Sequence, residues 1–201
     1  MERRLLHAVA VLVVGTFLLA PAASAQVPGS LVIKTLVDKK VLQLPDGPLF
    51  WRIENYPTLA QAQAAAGLWG LAAEFEGKIW LFRLGPASGS SAGGRAVAEV
   101  GPVPRVVASE YLLRINTPSG PPGSTTIVHT HPGSEGIYVL KGELCFRTPQ
   151  GVTRVPAGRS DTGPKPFVPS QVSSCGSTGL SGFVMFVVDA TRPFSSPAAF
   201  P

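Results

Sequence analysis

Charge is scarce in this 201-residue chain: Asp, Glu, Lys and Arg together make up 14% of it, against 45% hydrophobic residues. That balance excludes an intrinsically disordered chain, which combines high charge with low hydrophobicity, and the lack of a three-residue glycine period excludes collagen. There are only two cysteines, too few for a disulfide scaffold. Long apolar runs are missing after the first 25 residues, so nothing later approaches the ~20 residues a membrane helix needs. Basic residues outnumber acidic ones, 17 to 12. Beyond the first few positions they stand singly, apart from the pair Lys39-Lys40, and form no stripe suited to nucleic acid.

The first segment has the three parts of a secretory signal: Arg3 and Arg4, the apolar run Ala8 to Ala20, and the small-residue exit Ala23-Ser24-Ala25. Cleavage after Ala25 is the expectation, with an uncleaved anchor as the alternative. Cleavage leaves a periplasmic or secreted protein with no membrane attachment and a net charge of +4.

What the chain has in quantity is glycine (22) and proline (20), which punctuate strands with turns and argue against a helix bundle. Residues 26–104 read as an N-terminal arm or extension with one helix and two strands. Its start, Leu31 to Phe50, is strand-like but irregular. The helix runs from Leu59 to Ala66, with Thr58 as N-cap, Gln61 as its capping-box partner and Gly67 as terminator. The strands are Leu71 to Glu76 and Lys78 to Leu84. The stretch Gly85 to Gly94 contains only Gly, Pro, Ala and Ser and reads as a mobile loop or linker. Its Gly89-x-Ser91-x-Gly93 matches a hydrolase elbow in letters only, since no strand-to-helix pattern or base accompanies it.

Residues 105–192 carry short strands at regular intervals: Val106 to Asn116, Thr125 to His131, Gly136 to Leu140, Glu143 to Thr148, Val152 to Val155, Gln171 to Cys175 and Phe183 to Asp189. Such spacing indicates an all-β sandwich or barrel. Residues 193–201 read as a C-terminal tail. The last strand is apolar at both parities, so its second face should meet the N-terminal arm or a second subunit.

Without the leader only His129 and His131 remain. In a strand they share one face, with Cα atoms roughly 6.5–7 Å apart, and the turn Pro132-Gly133-Ser134 returns Glu135 toward them. Two imidazoles and a carboxylate suit a divalent transition metal, Fe, Mn, Zn or Ni, with open positions for a small molecule and for dioxygenase or isomerase chemistry. The competing readings are a non-enzymatic small-molecule binding module and a hydrogen-bonded polar cluster. Strand parity adds Thr125, Ile127, Ile137 and Val139 as wall residues. Asp161, Tyr138 and Tyr111 are further acid–base candidates, while Arg114, Arg147 and Arg154 could hold an acidic substrate in the barrel mouth but read better as surface.

The spacing Gly123, five residues, His129-Thr130-His131, three residues, Glu135, six residues, Gly142 resembles the first motif of the cupin superfamily. The resemblance covers about residues 105 to 190 and implies a double-stranded β-helix, or jelly-roll, barrel. A second cupin motif is matched only in part. Gly158 and Pro164 fit its start, and Ser170 and Ser174 then stand where the family has His and Asn; in another registration Asp161 takes the ligand place. The family's fourth ligand, a histidine, is absent either way. In a cupin barrel the strands of Cys145 and Cys175 are neighbours, so the two are either disulfide-bonded or separate buried thiols. The resemblance also implies a possible homodimer.

Overall fold

The computed structural model describes residues 29–89 and 91–201. The expected leader therefore lies outside the described residues. Two sheets face each other to form the barrel. The first is built from β1 (Val32–Val41), β6 (Tyr111–Gly120), β13 (Leu180–Asp189), β8 (Gly133–Lys141) and β11 (Ser160–Thr162), in that order and antiparallel throughout. The second holds β10 (Gly151–Pro156), β9 (Glu143–Thr148) and β12 (Gln171–Ser174). Beside β12 runs the segment that ends in β7 (His129–Thr130): Thr126 N donates to Val172 O, and His129 and Ser170 exchange two backbone bonds of 2.9 Å. This non-sequential strand order is a jelly roll, and the fold is all-β with one short helix.

The expected strand from Thr125 to His131 is mostly irregular, with only the ladder at its end regular. Isolated bridges at Thr125 and His129 tie it to β12 instead. Similarly, the strand expected to begin at Val106 begins at Tyr111, because Val107 projects into solvent at 93% exposure with no sheet beneath it. The proline-rich passage hid β11 altogether.

Residues 26–104 hold more than the expected two strands. β1 adds an edge strand to the barrel. β2 (Leu49–Tyr56), β3 (Gly70–Phe75), β4 (Lys78–Gly85) and β5 (Arg95–Val103) form a separate antiparallel sheet in the order β3-β4-β2-β5. β1 was legible only as part of a strand-like but irregular arm because Lys34 and Asp38 interrupt its apolar pattern, and β2 was obscured by Arg52 and Glu54, which are charged although buried. The helix α1 (Leu59–Ala66) matches its expectation residue for residue. Gln61 N donates to Thr58 Oγ1 at 3.3 Å, and Gly67 ends the helix at φ 62°. Ala62, Ala66 and Leu81 bury this helix against one face of the N-terminal sheet.

The Gly85 to Gly94 stretch is pinned rather than free among its described residues. Ser91 N donates to Glu54 Oε1, Arg83 donates to Ser91 Oγ at 2.6 Å, and Tyr56 donates to the Ala92 carbonyl. Ser91 thus serves as a bracket for the loop, and the elbow motif has no catalytic setting.

The other face of the N-terminal sheet packs on the barrel, and β13 lies between two cores. Phe183, Met185 and Val187 enter the core shared with Trp51, Phe82 and Leu113. Val184, Phe186 and Val188 enter the barrel core with Ile137, Leu144 and Val172. Phe183 makes edge-on contacts with Phe75, Trp80 and Phe82 at centroid distances of 5.4, 4.9 and 4.8 Å. The second face of the last strand therefore meets the N-terminal region.

Cys145 and Cys175 are disulfide-bonded across the β9–β12 pair, with Cα atoms 5.8 Å apart. Phe183→Ala should cost about 3–5 kcal/mol in urea unfolding, because it removes the ring that joins both sheets. Reducing the disulfide, which spans a sequence separation of 30, should cost roughly 3–4 kcal/mol by loop entropy. Two thiols labelled before reduction would exclude the bond.

Candidate functional site

A cavity of about 240 Å³ lies on the inner side of the barrel. His129, His131 and Glu135 all line it, so the structure gathers the three residues that the sequence pattern singled out. A more open groove of about 420 Å³ lies between α1 and the β4–β5 loop, with Arg83 as its charged residue, and none of the motif residues reaches it.

The histidines converge because β7 and its lead-in hang on β12. Their rings stand edge to face, with centroids 4.9 Å apart. His129 Nδ1 donates to Ile127 O at 2.8 Å, and His131 Nδ1 donates to Phe194 O at 2.6 Å. A carbonyl only accepts, so each Nδ1 carries the proton and each Nε2 is left free in the neutral ring. His131 is buried between the rings of Phe186 and Phe194, at 4.7 and 4.6 Å. This burial pushes its pKa down to about 4.

Glu135 begins the inward parity of β8, followed by Ile137 and Val139. Its carboxyl makes no hydrogen bond among the described residues, and burial pushes its pKa up to about 8. Gly163 provides the room. A Cβ there would stand 2.8 Å from Glu135 Cβ and 3.3 Å from Oε2, so any larger residue would press on the carboxyl. The motif glycines Gly123 and Gly142 have φ of 84° and 71°, the left-handed turns that bring the chain into and out of this region.

The remaining expectations divide. Ile127 lines the cavity, but Thr126 lines it in place of Thr125, because the segment is not a regular strand and parity fails there. Ile137 and Val139 face inward but lie in the barrel core rather than the cavity wall. Asp161 pairs with Ile137 on β11 and does not reach the wall. Tyr138 and Tyr111 pack on the opposite, N-terminal side of the sheet. Ser170 and Ser174 are both fully inward, and Ser174 Oγ has no partner among the described residues.

Arg114 is not plain surface: Asp38 Oδ2 accepts from its Nε and from a terminal nitrogen at 3.0 and 2.7 Å, and its guanidinium covers the Phe194 ring at 4.4 Å. Arg147 lies over Phe200, whereas Arg154 is paired with Glu143.

Other wall residues escaped the sequence reading. Asn116 and Phe186 follow from the parities of β6 and β13. Ile33 reaches the cavity because β1 joins the barrel. Phe194 and Ser195 come from the supposed tail, which is strapped across the site: β14 (Ser196–Pro197) pairs with β7, and Ala198 N donates to Val128 O. No sequence period marks these last residues.

No protein-family model and no curated protein matches the chain. Solved structures do. A protein with a double-stranded β-helix domain from Klebsiella pneumoniae is 24% identical, over 43% of this chain and 75% of that one, with a TM-score of 0.37. A conserved protein of unknown function from Streptococcus pyogenes is 21% identical, over 38% of this chain and 64% of that one, at 0.34. A cupin-like protein from Thermotoga maritima is 13% identical, over 44% and 65%, at 0.37. The matched part thus spans just under two thirds of the last two proteins. The barrel is a double-stranded β-helix, or jelly roll, and its strand order carries that statement.

The donor set suits a divalent metal in kind: two imidazoles with Nε2 free and a carboxyl without a partner. The arrangement does not suit a ready-made centre, since among the described residues no three His, Cys, Asp or Glu side chains are gathered closely enough to hold one ion.

The two perturbed groups predict a pH profile. Glu135 has a folded value above its ordinary 4.5, so its stabilising contribution is whole below pH 4.5 and is lost as the pH rises to about 8. His131 has a folded value below its ordinary 6.5, so its contribution is whole above pH 6.5 and is lost as the pH falls to about 4. The slopes oppose each other between pH 4.5 and 6.5, and above that only the fall due to Glu135 remains. Unfolding free energy should drop by roughly 2 kcal/mol between pH 6.5 and 8. Glu135→Gln should abolish that drop; an unchanged drop in this variant would exclude Glu135 as its source.

Proposed function

We propose that the barrel cavity binds a small organic molecule, held by His129, His131 and Glu135 at its polar end and by aliphatic and aromatic side chains elsewhere. The observation that supports this most is the meeting of the three motif residues in one largely apolar cavity. Pockets of this make-up, apolar with a few convergent polar groups, are typical small-molecule sites.

A second reading keeps the metal. It needs His129, His131 and Glu135 to shift into range of one ion, and it is supported by the backbone bonds that orient both imidazoles with Nε2 free. Dioxygenase or isomerase chemistry belongs to this second reading, because the ion would supply the oxygen-activating or Lewis-acid function.

Export to the periplasm or outside the cell is proposed alongside. The leader-like first 25 residues support it, and so does the disulfide, which persists in oxidising compartments. Among the described residues no helix is long and apolar enough to cross a membrane. A homodimer, if formed, would not use β13, both faces of which are covered within the chain.

Metal analysis and a thermal-shift measurement separate the readings. In the metal-free protein, benzyl alcohol should raise Tm, and Ile127→Trp, placed at the 71% exposed edge of the cavity, should abolish the rise. Reconstitution with Fe, Mn, Zn or Ni should leave less than about a tenth of an equivalent bound. About one equivalent, lost in His129→Ala, would replace this reading with the metal one.

A further inference from the structure

The wall of the cavity narrows the ligand class, on the reading that the cavity is a small-molecule site. Its polar groups are mostly acceptors with nothing to accept from. The Nε2 atoms of His129 and His131 are acceptors in the neutral rings, because both Nδ1 atoms donate to carbonyls. Asn116, 5% exposed, lines the cavity, and its Oδ1 has no partner among the described residues. The Glu135 carboxyl also lacks a partner there.

Among the described residues no Lys or Arg contributes to this wall. Arg114 is nearby, and its field reaches His131. However, its guanidinium lies against the Phe194 ring and is bound by the Asp38 carboxylate, which offsets its charge. Apart from the hydroxyls of Thr126 and Ser195, the rest of the wall is apolar. Phe186 and Phe194 stand 4.9 Å apart and nearly perpendicular, presenting aromatic surface of the kind that attracts cations.

We propose that the cavity selects a small organic ammonium ion, an amine carried on an aryl or short alkyl body. Its N–H groups, three in a primary ammonium, donate to the Glu135 carboxyl and to acceptors among Asn116 and the imidazole nitrogens, and its body packs on Phe186 and Phe194. The positive charge gives the buried carboxyl the partner that the protein does not provide. A neutral alcohol brings one donor and satisfies one acceptor. A carboxylate or phosphate brings further acceptors and a charge of the wrong sign.

Calorimetric titration of the whole protein with benzylamine, benzyl alcohol and benzoate at pH 8.5, where the Glu135 carboxyl is mostly ionised, tests this. Benzylamine should bind at least about tenfold more tightly than benzyl alcohol, and benzoate should not bind. Glu135→Gln should bring benzylamine to the affinity that the alcohol shows for the same variant. Asn116→Leu provides a second variant and should reduce the amine preference with Glu135 intact. Benzoate or benzyl alcohol binding as tightly as the amine would overturn the ligand class while leaving the cavity a small-molecule site. So would an amine preference that survives both substitutions. If none of the three probes binds, the small-molecule reading falls together with the proposal.

Discussion

The structure depends on one strand being apolar on both faces. β13 lies between β6 and β8 in the barrel sheet, and its two parities feed two different cores. A strand in an ordinary half-buried sheet alternates between apolar and polar residues, so a run such as Phe183-Val184-Met185-Phe186-Val187-Val188 requires cover on each side. The N-terminal sheet supplies the outer cover and the barrel interior the inner one. That constraint fixes the N-terminal region to the barrel, and it carries β1 to the barrel edge, where Ile33 reaches the cavity.

Much of this was legible wherever a residue pattern had a single physical solution. The Thr58 and Gln61 cap, with Gly67 beyond it, specified α1 to the residue. The Gly123 to Gly142 spacing placed two left-handed turns around the histidines, and the double-faced strand announced a second layer. Legibility failed where pairing partners were remote. β1 and β5 carry charges on their open faces and β2 buries two charged residues, Arg52 and Glu54, so long-range pairing is what defines them as strands. β11 is three residues in a proline-rich passage, stabilised by β8 rather than by its own composition.

The site divides in the same way. His129, His131 and Glu135 are local to one turn, and their meeting could be read from spacing. Asn116, Ile33 and Phe194 come from elements far along the chain and are placed by sheet order alone. Parity misled at Thr125 and Thr126 because the backbone there bonds irregularly to β12. The disulfide agreed with the neighbouring strands that the barrel implied. Ser170 is buried, and Phe186 and Phe194 give the cavity an aromatic character that the histidine spacing did not announce.

The C-terminal strap has a further consequence for assembly. Phe194 closes one side of the cavity, and its carbonyl fixes the proton position on His131, while Ile33, near the start of the described chain, helps close another side. A ribosome delivers these two residues at widely separated times, and contacts so distant in sequence are slow to form. Until the last strand and the strap have docked, a barrel can be present with its imidazole unoriented and its cavity open. The closed cavity is therefore a property of the barrel and strap together, and its walls are not all in place while the chain is still being made.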